Sequence, residues 1–163
     1  MGNGKVVALK ASGPMRLSNY GRKQVSLSMY VKGKNFLGAS VMLREAKGNE
    51  YVVLHLMCQG IEIVLKAFLL FKDYEKYRGL LKKPLGHDLK RSIATVISEF
   101  HLKPLSEAHM KEIELLNSLY ANHMLRYGSG YDILVNPSTI PSDLIFRKMI
   151  VVIRLAERHI SMT

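Results

Sequence analysis

The chain has 163 residues, 48% hydrophobic and 23% charged, which suits one globular domain and excludes a disordered polyelectrolyte. Its single cysteine, Cys58, excludes an internal disulfide framework and fits a reducing, cytoplasmic setting. The formal net charge of +11 is uneven: residues 1–35 hold seven Lys/Arg and no acid, a composition suited to phosphate, nucleic acid or an acidic partner, or to a solvated tail.

In chain order, the first 35 residues are rich in Gly, Ser and Lys. The start MGNGKVVALK lacks the apolar run of a secretion signal. Val25, Leu27, Met29 and Val31 alternate with polar or small neighbours, which predicts a short strand or an extended basic arm over 1–35. From Asn35 the period becomes helical. Phe36, Ala39, Met42, Leu43 and Ala46 recur at spacings of three or four, and Gly48 ends the run. Asn49 is placed to cap a second helix over 50–72, apolar nearly all round. Its polar exceptions, His55, Gln59, Glu62 and Lys66, are spaced four, three and four and form one stripe. An ionisable pair in mid-span is costly in a bilayer, so this helix is expected to be the enclosed centre of a soluble bundle.

The basic segment DYEKYRGLLKKPLG, with Pro84 and Gly86 as breakers, predicts a connection with room for one helical turn. Asp88 is the natural cap of a third helix lined by Leu89, Ile93, Val96, Ile97 and Phe100. Ser106 opens a fourth, with Leu105 and Met110 as a hydrophobic staple and Ile113, Leu116, Leu119, Tyr120 and Met124 facing inward. After the long loop GSGYDILVNPSTIP, Pro141 and Ser142 start a fifth helix reaching close to the C-terminus. The expected fold is all-α, a compact antiparallel bundle of about five helices over 36–163 with a basic N-terminal arm.

No phosphate-binding glycine loop, nucleophile elbow or zinc-spaced Cys/His set is present, so no cofactor or metal is expected. Chemistry is left to polar residues in apolar surroundings. Glu62 and Lys66, four apart on the enclosed helix, form either a helix-stabilising pair or a functional one, because a buried ion pair rarely improves on apolar packing. His87, beside the Asp88 cap, locks its loop or serves as a general base. His123, Arg126 and Tyr127 close the fourth helix. They suit its dipole, or supply a phosphate-holding fork and a stacking ring. Arg147, Arg154 and Arg158, followed by His159, form a basic side of the last helix, solvated or nucleic-acid-facing.

The series LHLMCQGIEIVLKAFLLFKD, then PLGHDLKRSI, then LNSLYANHMLRYG resembles the HEPN family of helical domains over about residues 36–130. In that family a long helix carries an acid four residues before a Lys, a G-H-D-L element starts the next helix, and an R-Y element closes a later one. The resemblance implies a helical bundle, often a homodimer. Its members are metal-independent endoribonucleases, toxins paired with nucleotidyltransferase-like partners in toxin–antitoxin or defence systems, or non-catalytic binders of RNA or nucleotide. The ribonuclease branch has a His four to six residues after an Arg. Arg126 is followed by YGSGYDI, which has none, and only Arg154 and His159 show that spacing. The expectation is therefore a non-catalytic HEPN-like module that binds RNA or nucleotide through Glu62, Lys66, His87, His123, Arg126 and Tyr127. The alternatives are an endoribonuclease using Arg154 and His159, and an interaction subunit for a nucleotidyltransferase-like protein.

Overall fold

A computed structural model describes residues 17–127 and 134–161, apart from the side chains of Ala156, His159, Ile160 and Ser161. The elements are α1 (Asn19–Glu45), α2 (Glu50–Lys72), the single turn α3 (Tyr74–Arg78), α4 (Leu89–Glu99), α5 (Glu107–Ala121), a 3-10 turn at Pro137–Thr139, and α6 (Asp143–Ser161). The described residues are all-helical with no strand. The expected second to fifth helices correspond to α2, α4, α5 and α6, and the basic connection holds α3.

The expected strand or extended arm over 25–31 is wrong. These residues lie in the middle of α1, which begins at Asn19, and Ser18 caps it by accepting the Gly21 N–H at 3.1 Å. Residues 1–16 lie outside the described residues. The period-two apolar positions do not form a face: Leu27 and Val31 are exposed. The packed side of α1 is a heptad of small residues. Ser26, Gly33 and Ser40, seven apart, are buried, with Tyr30 and Leu37 packed between them. The apolar set further along is also displaced from the interior, since Met42 is 71% exposed.

Small residues on this seam let α1 and α2 approach closely. A Cβ on Gly33 would lie 2.7 Å from Val64 Cγ2 and 2.9 Å from the Val64 backbone nitrogen. A Cβ on Gly60 would lie 2.9 Å from the Leu37 nitrogen. The glycines therefore face each other's helices in the α1–α2 hairpin, closed by Asn49 accepting the Tyr51 and Val52 N–H groups.

Helix α2 contacts every other helix of the bundle. Leu54, Val64, Ala67, Phe68 and Leu69 are fully enclosed, and so is Cys58 as a small hydrophobe. It is also long and apolar enough to cross a membrane, but 72% of that window is buried within the protein, so its apolarity is that of a core helix. Phe68 joins three helices through ring contacts with Tyr30 on α1 (5.5 Å) and Phe100 after α4 (6.2 Å). The buried carboxylate of Glu112 on α5 accepts the Ile145 N–H at 2.9 Å and so caps α6 from outside.

Helices α1, α4 and α5 end in the same way. Lys47, His101 and His123 adopt φ of 54°, 52° and 59°, and each following N–H reaches back to a carbonyl five residues earlier. This is the Schellman closure, with side chains where glycine is the usual occupant.

Candidate functional site

Five of the six expected ligand-binding residues belong to one connected cluster. Glu62 and Lys66 are 5% and 7% exposed, so they are interior groups rather than a rim pair. Lys66 donates to Glu62 Oε1 at 2.6 Å and to the carbonyl of Gly86. Tyr120 donates its hydroxyl to Glu62 Oε2 at 2.6 Å, and His87 Nδ1 lies 3.1 Å from the same oxygen. One carboxylate thus joins α2, α5 and the loop before α4.

The sequence holds that loop rigidly. Gly86, with φ of 48°, supplies the left-handed turn that aims its carbonyl at Lys66. Asp88 accepts the Arg91 N–H at 2.9 Å, as expected of the cap. Asn117 on α5 accepts the Leu89 N–H at 2.7 Å, and Arg91 donates to the Pro84 carbonyl at 2.8 Å. His87 therefore stands on a fixed backbone with its side chain half exposed.

Beyond His87 the cluster opens to solvent. The His87 ring meets His123 at 5.9 Å and Tyr120 at 6.0 Å, both edge-on, and His123 meets Tyr127 at 6.5 Å. His123, Arg126 and Tyr127 are exposed on the turn after α5. Arg126 has no hydrogen bond or ion pair from its side chain among the described residues. Its charge is felt at His55 and Tyr120. Glu62 orients Lys66, as expected of one of its roles, and not Arg126.

Electrostatics fixes the protonation of the inner groups. Burial works to raise the Glu62 carboxyl, but hydrogen bonds from Lys66, Tyr120 and His87, with the Lys66 charge, outweigh it and hold Glu62 below the usual carboxylate range. Burial and the bond to Glu62 push the Tyr120 phenol up, so it remains a donor. Burial, then the Arg126 and His123 charges, push His55 down against the pull of Glu62. Because ionised Glu62 only accepts, the proton of neutral His87 sits on Nδ1 and Nε2 carries the lone pair.

Sequence reasoning placed Tyr120 on the apolar inner face and overlooked its hydroxyl. The available signal is that a buried tyrosine O–H needs a partner, and Glu62 was the acid one helix away. His55 was seen as a polar exception only; its ring lies 5.7 Å from that of Tyr120. Arg154 is exposed on α6, and no hydrogen bond, ion pair or ring contact joins it to the cluster among the described residues. The His159 side chain and the segment 128–133 lie outside them. No three His, Cys, Asp or Glu residues converge as metal ligands among the described residues. No family model, no curated protein and no solved structure matches the chain.

Proposed function

We propose that this protein is a cytoplasmic HEPN-like module that binds RNA or nucleotide through phosphate at the cluster around Arg126. The observation that carries the reading is the contrast between two cations. Lys66 is consumed by Glu62, whereas Arg126 is exposed, without a carboxylate among the described residues, beside two histidines and an exposed tyrosine ring. Arginine in such a setting offers phosphate a charge-assisted fork, and Tyr127, 69% exposed, offers a base a stacking face.

Fluorescence anisotropy with a labelled single-stranded RNA and with a labelled nucleotide tests this. Arg126→Ala should cost about 1–3 kcal/mol of affinity, as for a lost charge-assisted bond. Wild-type affinity should fall with added salt, and the variant's slope should be shallower. Unchanged binding with a lowered melting temperature would reduce Arg126 to a structural role.

A second proposal concerns assembly. Leu27, Val31, Val41 and Met42 on α1 and Leu144, Val151 and Leu155 on α6 are exposed apolar side chains. Covering them in a two-fold interface makes a homodimer, the commonest symmetric assembly. Light scattering should return twice the 18.5 kDa chain mass at micromolar concentration. A monomer mass would refute it.

A further inference from the structure

Two imidazoles in different settings face the same patch of solvent, and phosphate binding leaves this unexplained. His87 is backed by a buried carboxylate at 3.1 Å, on a loop tied down by Lys66, Asn117 and Arg91. His123 has no such backing and sits 5.9 Å away on the turn that also presents Arg126. A carboxylate behind a histidine fixes its tautomer and stabilises the imidazolium when it takes a proton. Hydrogen-bond reach is about 2.6–3.2 Å, so two rings at this separation can touch two oxygens of one phosphodiester at once.

We infer that His87 and His123 are an acid–base pair that cleaves RNA by internal transfer at the phosphodiester held by Arg126. This rests on the phosphate-binding reading of the cluster and replaces the non-catalytic expectation. His87 Nε2 removes the proton of the 2′-hydroxyl, and the freed oxygen forms a bond to the adjacent phosphorus. The bond from phosphorus to the 5′-oxygen breaks. Protonated His123 gives its proton to that leaving oxygen, and Arg126 holds the non-bridging oxygens where charge gathers. The products are a 2′,3′-cyclic phosphate and a free 5′-hydroxyl. One proton is taken up and one released, and no oxidant or second substrate enters. Glu62 and Tyr120 are positioning residues: Glu62 holds Nδ1, and Tyr120 holds Glu62. The pair was found from distances and differs from the Arg154–His159 spacing.

The other groups facing the two rings are accounted for. Glu62, Tyr120 and Lys66 lie behind His87, Asp88 follows it as a helix cap, and His55 and Arg126 flank the α5 side. Only His87 combines a carboxylate partner with a solvent-facing nitrogen.

The test uses the full chain with a fluorescent single-stranded RNA in EDTA, and the same oligomer carrying 2′-O-methyl groups, which can bind but lacks the nucleophile. The expected result is cleavage of the first to cyclic-phosphate ends, binding without cleavage of the second, and a bell-shaped dependence of kcat on pH. At saturating RNA, His87→Ala and His123→Gly should each lower kcat by about 100-fold or more. Glycine at 123 suits the left-handed backbone there, so that variant should fold at least as well as wild type, as a thermal melt will show. If both oligomers bind and neither is cut, the acid–base pair is refuted and the binding site stands. If neither binds, both readings fall together. Cleavage undiminished in both histidine variants would place the chemistry elsewhere and overturn the inference.

Discussion

Glu62→Gln is expected to destabilise the protein by about 3–5 kcal/mol, the usual consequence of removing one member of a buried ion pair. Lys66 would keep the Gly86 carbonyl but lose its counter-charge in a site that is 7% exposed. A domain of this kind has only about 5–15 kcal/mol of stability in total, so the urea midpoint should drop far while the slope of the transition is unchanged. A double variant, Glu62→Gln with Lys66→Met, removes the stranded charge and should recover part of the loss. Strict additivity of the two single effects would show that the pair is not coupled.

The same carboxylate predicts a pH dependence with a definite sign. Its folded pKa lies below the unfolded value, so its contribution is complete above the ordinary carboxylate range and is lost as pH falls through the depressed folded value. Wild type and Glu62→Gln should therefore differ most near neutrality and converge in acid. A gap that widened below pH ~4 would contradict the assigned ionisation. The substitution also bears on His87: an amide nitrogen opposite Nδ1 favours the tautomer that accepts there and donates from Nε2, the wrong form for a base.

The enclosed helix, its Asn49 cap, the Asp88 cap and the polar stripe were legible because each rests on local spacing. A helix apolar on all sides has one environment available, and an acid and a lysine four apart on it must find partners there. Assembly of the cluster was only half legible. Spacing put Glu62 beside Lys66, and His123 beside Arg126 and Tyr127, but which groups meet across helices depends on packing. Gly86 shows the limit: its carbonyl is the second ligand of Lys66, and a backbone oxygen has no signature in a side-chain pattern. Helix α1 was misread because Val25, Leu27, Met29 and Val31 alternate as in a strand, whereas the information lay in Ser26, Gly33 and Ser40. An interface built by removing bulk gives no signal to a search for hydrophobic residues.

Gly33→Leu tests that reading of α1 and is expected to cost about 3 kcal/mol or more, the upper end of the penalty for overfilling a packed interior. The first added carbon already falls 2.7 Å from Val64 Cγ2, 2.9 Å from the Val64 nitrogen and 3.1 Å from the Gly60 carbonyl oxygen. Two of these three neighbours are backbone atoms of α2, which cannot rotate away as a side chain can. The helices must separate along the Ser26–Gly33–Ser40 seam, loosening Tyr30 from Phe68. Leucine is a better helix former than glycine by about 1 kcal/mol, so a helix limited only by propensity would gain stability from the change. Gly38 provides the matched control on the same helix. A Cβ there meets nothing within 4 Å, and Gly38→Ala should stabilise by a few tenths to about 1 kcal/mol. Opposite signs at positions 33 and 38 in urea titrations are the expected outcome. Equal gains at both would mean that α1 does not pack through its small residues.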